Sequence, residues 1–373
     1  MSESKSERLL SLDVFRGITI AGMILVNNPG TWSDVYPALR HAEWNGCTPT
    51  DLIFPFFLFI VGVAITFSLT KRKERGDDQK ALIAQIFRRS LILFGLGLIM
   101  AGFPYFNLST IRIPGVLQRI GVVYFITSII FLKSSFKWQV YLSALFLLVY
   151  WALIALVPVP GVGFANLEPT TNLAAWLDNL LLSGHMWTVT KVWDPEGILS
   201  TIPAVSTALL GVLTGHLLKS SKDQTTKTVW MFFNGSVLMF AGYVWDMWFP
   251  MNKSLWTSSY VIYTAGLALI FLAFCYWLID VQGYKKWALP FHVYGMNAIT
   301  VFFLSGIIAK LTFIIKVTDS LGKEVSLKAY LFQNLFLSWL EPINASLVFA
   351  IVYILIWLGL MWILYAKKIF IKV

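Results

Sequence analysis

Asp51-Leu52-Ile53-Phe54-Pro55-Phe56-Phe57-Leu58-Phe59-Ile60-Val61-Gly62-Val63-Ala64-Ile65-Thr66-Phe67-Ser68-Leu69-Thr70 is the stretch that decides the fold. It has one acid at its start and no further charge until Lys71-Arg72-Lys73. A helix needs about 20 mostly apolar residues to cross the hydrocarbon core of a bilayer. Residues 50–70 have that length, and the basic run from Lys71 to Arg89 marks a cytoplasmic flank. Further spans are expected near 11–29, 86–104, 114–132, 138–157, 198–218, 228–248, 257–278, 288–309 and 345–366. Residues 324–341 are apolar but interrupted, and read as an interfacial or re-entrant helix. The expected fold is all-α: a polytopic membrane helix bundle of about ten transmembrane helices. It forms a single domain over residues 1–373 with both termini cytoplasmic.

Composition agrees. Hydrophobic residues make up 57% of the chain and charged residues 13%, where soluble domains run near a quarter charged. Mean hydropathy is +0.71. Of the 29 Lys and Arg, 20 fall in segments assigned to the inner side, counting Lys5, Arg8 and Lys372. That asymmetry sets the orientation, although Lys310, Lys316, Lys323 and Lys328 of the last outer loop run against it. The net charge of +10 is therefore a membrane signature. No basic stripe alternates with exposed aromatics, so a nucleic-acid partner is not expected. Met1 to Leu10 is polar and no small-residue cleavage site follows, so no cleavable signal is expected. Cys47 and Cys275 are expected near opposite faces, which excludes a disulfide. No metal-ligand spacing occurs. The outer loop 158–197 is too long for a turn and is expected to cover a site.

Polar residues beside the spans gather on the outer side, where they are functional candidates by default. His41 leads, because an imidazole with a pKa of about 6.5 suits a general base. Thr48-Pro49-Thr50-Asp51 fits a helix start, with Thr48 as cap, so Asp51 is either a cap or a catalytic acid. Asp194, before Pro195, is expected to cap the sixth span. Glu196 is spare for function or for the helix dipole. Gln118 and Arg119 lie about 6–8 Å into the fourth span, and Arg119 should face the bundle, paired or wet. Asn297 sits deep in the ninth span. Asn27 and Asn28 close the first span and are helix-end residues or donors to an acyl oxygen. Asp13 and Arg16 are spaced to pair along a helix; Arg16 is alternatively an anion contact. His216 and His292 read as residues of inner helix ends.

Five blocks in order carry a resemblance. Ser11-Leu12-Asp13-Val14-Phe15-Arg16-Gly17, His41-Ala42-Glu43-Trp44-Asn45-Gly46, Asp51-Leu52-Ile53-Phe54-Pro55-Phe56-Phe57, Arg112-Ile113-Pro114-Gly115-Val116-Leu117-Gln118-Arg119-Ile120 and Asp194-Pro195-Glu196-Gly197 resemble the heparan-α-glucosaminide N-acetyltransferase family, with Gly295-Met296-Asn297 as a further match. The resemblance implies transfer of acetyl from cytosolic acetyl-CoA to the amine of a terminal glucosamine-type sugar on the other side. It implies His41 as the active histidine, a base or acyl carrier, and Asn27 as its helix-one asparagine; Glu196 or Asp51 is expected beside them to orient the imidazole or bind the sugar ammonium. Arg16, Gln118, Arg119 and Asn297 are the expected coenzyme A contacts. Trp44, Asn45 and Asp194 are the expected sugar contacts. The implied setting is a bacterial inner membrane, with the lipid bilayer, coenzyme A and an amino-sugar acceptor as partners and no metal. A homodimer is compatible with the sequence. Two other readings are O-acylation of envelope glycans and sugar transport; the second usually shows repeated halves, which this sequence lacks.

Overall fold

The computed structural model describes residues 9–319 and 322–371. Lys5, Arg8 and Lys372, counted above among the inner charges, and most of the polar N-terminal stretch lie outside the described residues. The described residues are 69% helical. Its helices are α1 (Leu10–Asn27), α2 (Ile53–Glu74), α3 (Gln79–Gly102), α4 (Val116–Lys133), α5 (Phe136–Leu156), α6 (Leu173–Leu182), α7 (Thr201–Lys219), α8 (Gln224–Asp246), α9 (Ser258–Tyr276), α10 (Leu289–Met296), α11 (Ala298–Ile314), α12 (Leu327–Leu335) and α13 (Pro342–Ala366). A small antiparallel hairpin, β1 (Lys316–Thr318) and β2 (Glu324–Ser326), precedes α12 and pairs Val317 with Val325. Side chains define several helix starts. Asp78 accepts from Lys80 N at α3, Asn172 from Ala175 N at α6, and Asp223 from Thr226 N at α8. Each such cap is worth about 1 kcal/mol.

Among the described residues, eight helices are long and apolar enough to cross a membrane: α1, α2, α3, α4, α5, α7, α9 and α13. The expected ninth span is broken. It consists of α10 with its preceding turn and α11, which bend by 71° at Asn297. The remaining expected span is α8, with 23 residues. It has the length but is less apolar, carrying Gln224, Thr225, Thr226, Lys227, Thr228 and Asn234. Residues 324–341 begin with β2, and the helix they contain among the described residues is the nine-residue α12, too short to cross. The loop 158–197 is partly ordered by α6.

The chain forms two compact units. One contains residues up to His41, residues 48–53 and residues from 274 onward; the other contains residues 42–47 and 54–273. In the second, Ile65 and Leu69 of α2, Leu82 and Ile86 of α3, Phe131 and Leu132 of α4 and Val212 of α7 form one buried cluster. On α5 and α8 of the same unit, Leu145, Leu148, Phe233 and Phe240 are exposed, an apolar surface suited to lipid. In the first unit, α13 exposes Leu355, Ile356 and Ile363, and α11 exposes Leu304, Ile308 and Phe313.

Lipid gives helices no hydrophobic drive to associate, so they pack through close backbone approach at small residues. In the first unit, α1 and α10 cross at Gly17 and Gly295. A Cβ on Gly17 would lie 1.7 Å from Phe291 O, and one on Gly295 2.0 Å from Asp13 O. In the second unit, α2 and α7 meet the same way at Gly62 and Gly211. Gly17→Ala should therefore cost at least the ~1–3 kcal/mol typical of overpacking and lower the thermal midpoint in detergent. Gly95→Ala and Gly359→Ala, where a Cβ meets nothing within 4 Å, should leave it unchanged.

Candidate functional site

The capping box predicted at Thr48 is present. Thr48 precedes the short turn Pro49–Leu52, which leads directly into α2. Asp51 Oδ2 accepts from Thr48 N at 3.0 Å and lies 2.9 Å from Thr48 Oγ1. Its other oxygen, Oδ1, is 2.6 Å from His41 Nδ1. Asp51 is therefore both cap and orienting carboxylate. Its side chain is 1% exposed, while that of His41 is 45% exposed. The loop bearing His41 is tied down just before the imidazole: Arg40 N donates to Pro37 O, and Arg40 Nε donates to Val35 O at 2.8 Å. A carboxylate at Nδ1 favours a ring protonated on that nitrogen. This is the arrangement of an oriented general base.

The remaining candidates of the same unit are placed as follows. Asn27 is the last residue of α1 and is exposed. Asn28 is buried and donates back to Ile24 O at 2.8 Å, a helix-end role. Arg16 pairs with Asp13 at 3.0 Å, as its spacing predicts, and reaches Gly295 O at 3.4 Å. Asn297 is buried at the break between α10 and α11. Its Nδ2 donates to Ile369 O at 3.1 Å and its Oδ1 accepts from Ile371 N at 2.9 Å. Both polar ends of that side chain are thus engaged by the C-terminal segment.

The second unit holds a different cluster. Asp194 is not a helix cap: α7 starts at Thr201, seven residues later, after Ser200. Arg112 Nε and Nη2 grip its two oxygens at 2.8 and 2.6 Å, and Nη2 also meets Glu196 Oε2 at 2.5 Å. Trp187 N and Glu196 N donate to the same aspartate, each at 2.9 Å. Glu196 is therefore an ion-pair partner of Arg112. Burial opposes the charge of Arg112, but hydrogen bonds and charge from Asp194 and Glu196 outweigh it and raise its pKa. Asp178 of α6 supports this loop from behind, accepting from Ile198 N at 2.9 Å and Asp194 N at 3.2 Å. Burial pushes the Asp178 carboxyl up to about 6, against those two hydrogen bonds.

Arg119 is buried in the first turn of α4. Nη2 donates to Gly197 O at 2.9 Å and Ser200 Oγ at 2.5 Å, and the guanidinium lies 5.3 Å from the Trp256 ring centroid. Its Nε and Nη1 have no hydrogen-bond partner among the described residues. Gln118 is buried against Gly97 and Gly115, whose added Cβ atoms would collide with its Oε1. Trp44 Nε1 donates to Leu167 O at 2.9 Å, which joins the His-Ala-Glu-Trp-Asn-Gly block to the long loop. Exposed Asn45 accepts from buried Asn252. Arg112, Trp193 and Asn252 lie in outer segments whose polar residues the sequence marks out, but local sequence assigns none of them a role of its own, and Asp178 carries no such mark. The one available signal was the pair of acids at 194 and 196, close enough to require a shared cation.

Among the described residues no group of three or more His, Cys, Asp or Glu is placed to hold a metal ion.

The family model described as heparan-alpha-glucosaminide N-acetyltransferase, catalytic, matches residues 8–244, well over half of the chain. The chain belongs to that family. It is 31% identical over 426 residues to the heparan-alpha-glucosaminide N-acetyltransferase of Mus musculus, covering 99% of this chain and 61% of that protein. Identity to the Homo sapiens protein of the same name is 32% over 426 residues, covering 98% and 60%. The chain thus spans about three fifths of the length of these relatives. Both the His41–Asp51 pair and the Arg112 cluster fall within the matched region of the family.

Two outcomes follow from the cluster. Arg112→Ala strands two buried carboxylates, Asp194 and Glu196, and should cost about 3–5 kcal/mol, read as a lower thermal midpoint in detergent. Asp178 has a folded pKa above its unfolded value of about 3.9. Its contribution to stability is therefore fully present below about pH 4 and is lost as pH rises through 6. The midpoint of the unsubstituted protein minus that of Asp178→Asn should fall over this window.

Proposed function

We propose that this chain transfers acetyl from acetyl-CoA to the amine of a terminal glucosamine-type sugar, with His41 as general base. The observation that carries the proposal is the His41–Asp51 pair, in which the buried carboxylate lies 2.6 Å from the imidazole Nδ1. Family membership and the printed names of the relatives support the reaction class. The Lys and Arg asymmetry supports an outer, periplasmic position for His41 in a bacterial inner membrane, with acetyl-CoA drawn from the cytosol.

In this reading His41 Nε2 takes a proton from the acceptor amine as its nitrogen attacks the thioester carbonyl carbon. The C–S bond breaks, an amide forms, and the imidazolium returns its proton to the leaving thiolate. Buried Asp51 stabilises the imidazolium while it exists. Asn27 is the proposed donor to the acyl oxygen. Arg119, with two buried donors uncommitted among the described residues, and Gln118 are proposed contacts for the acyl donor, as is Arg16 for its phosphates. Trp44, Asn45 and Asp194 belong to the acceptor side, Asp194 through its hold on the loop. Glu196 acts through Arg112.

The test is labelled acetyl-CoA with a panel of amino sugars and their hydroxyl counterparts. N-acetylated product is expected. His41→Ala should lower turnover by about 10²–10⁴-fold, and Asp51→Asn by at least about tenfold through the wrong tautomer. Near-normal turnover of His41→Ala would place the base elsewhere. Product acetylated only on hydroxyls would favour the O-acyl reading. Parallel initial-rate lines would make His41 an acyl carrier; intersecting lines would keep it a base.

A further inference from the structure

In the first unit, α12 is fixed against the start of α13. Phe332 and Phe336 are buried with Ala345, and both rings meet Phe349 edge to face, with centroids 6.0 and 5.5 Å apart. Leu327 N donates to Ile315 O at 2.8 Å. The Ser326 hydroxyl caps the helix, accepting from Ala329 N at 3.2 Å. These ties hold the first turn of α12 beside the end of α11.

Lys328 stands in that first turn and is 9% exposed. Its ammonium lies 5.2 Å from the Phe313 ring centroid and 5.6 Å from that of Phe349. Among the described residues it makes no hydrogen bond and no ion pair. Everything local opposes a charge there. Burial lowers the pKa of Lys328 to about 8, which still leaves it mostly cationic at pH 7. The first turn of α12 contains no acid, and a cation at a helix N-terminus is repelled by the dipole. The two ring faces attract the ammonium, but they are poor acceptors for its three N–H donors. An anionic oxygen would answer both needs.

The position in the membrane says which anion. α13 has 25 residues, a length of about 37 Å against a hydrocarbon core of about 30 Å. Its first turn therefore emerges among the headgroups. Phe349 lies about 10 Å along the helix from Pro342, and aromatic side chains on a helix lean back toward its N-terminus. The Lys328 ammonium thus sits near the boundary of hydrocarbon and headgroups. Around it Phe313, Ile315, Leu335 and Trp339 are exposed. They continue the apolar surfaces of α11 and α13, and tryptophan favours this boundary. We propose that Lys328, at the start of α12, binds the phosphate of an anionic phospholipid in the leaflet at this end of α11 and α13. The lipid chains lie on the exposed apolar residues, and Phe313 and Phe349 hold the ammonium in place for the headgroup.

The test follows the thermal midpoint of the whole chain in detergent. Phosphatidylglycerol, phosphatidylcholine with the same acyl chains, or inorganic phosphate is added. Phosphatidylglycerol should raise the midpoint saturably, and the other two should not. Lys328→Met should weaken the apparent affinity for phosphatidylglycerol about tenfold or more. Lys328→Arg should retain it, because a guanidinium also binds phosphate. Lys323→Gln, at an exposed lysine of the same segment, should respond as the unsubstituted protein does. Without anionic lipid, Lys328→Met should have a midpoint no lower than the unsubstituted protein, because it removes an uncompensated buried charge. Equal rises with the two lipids overturn the proposal. So does an equal loss in Lys323→Gln, which marks diffuse attraction to a basic loop. A rise with inorganic phosphate that matches phosphatidylglycerol would make the ligand a free anion and overturn the lipid. A lower lipid-free midpoint in Lys328→Met would show that the two rings already satisfy the ammonium, and overturns the site.

Discussion

Hydrocarbon supplies no water, so every polar group inside it must find its partner within the protein. A stranded buried polar group costs about 1–3 kcal/mol and a stranded charge more. That constraint explains where this chain departs from plain helices. At the break between α10 and α11 the backbone turns by 71°. The side chain of Asn297 answers the break by taking up Ile369 O and Ile371 N. Near the start of α4, the charge of Arg119 is met by a carbonyl, a hydroxyl and the face of Trp256.

The same economy appears at Asp51, where one carboxylate does two jobs with two oxygens. Oδ2 closes the start of the helix turn and Oδ1 holds His41. A histidine on an exposed loop would sample several rotamers, and orienting it would cost side-chain entropy of the order of 1 kcal/mol. Here the orienting group is fixed by the capping box, so part of that cost is met by folding of the helix start. A cap and a carboxylate that orients His41 are therefore not competing readings of this position.

What the sequence made legible was local. The apolar runs, the Thr48–Asp51 box and the Asp13–Arg16 spacing all depend on residues within one or two turns, and all are present. What it hid depends on distant partners. The ninth span reads as unbroken through Asn297 because the residues that satisfy the break lie more than 70 positions away. Asp194 reads as a cap because Pro195 follows it. Arg112, 82 positions upstream, claims both its oxygens instead, and α7 starts only at Thr201. Asn252 and Trp193 lie in connecting segments, and local sequence does not show that the Asn252 loop is buried. One threonine and two serines follow that loop in sequence, and Thr257, Ser258 and Ser259 are all fully buried and bonded.

The loop from His185 to Ser200 shows how such distant contacts combine. Of the three carboxylates Asp178, Asp194 and Glu196, the last two are in contact with the Arg112 guanidinium, and Arg119 acts on all three through space. Arg112 neutralises the two acids it touches. Asp178 has backbone N–H donors but no cation in contact, so burial dominates and its carboxyl holds a proton more tightly than an exposed aspartate. The two N–H groups it accepts, from Asp194 and Ile198, bracket the Gly197 carbonyl that Arg119 uses. The position of that carbonyl is thus set from the acidic side by Asp178 and Arg112 and read from the other by Arg119. A change in the charge of Asp178 therefore reaches Arg119 through space and through the one peptide group that joins Gly197 O to Ile198 N.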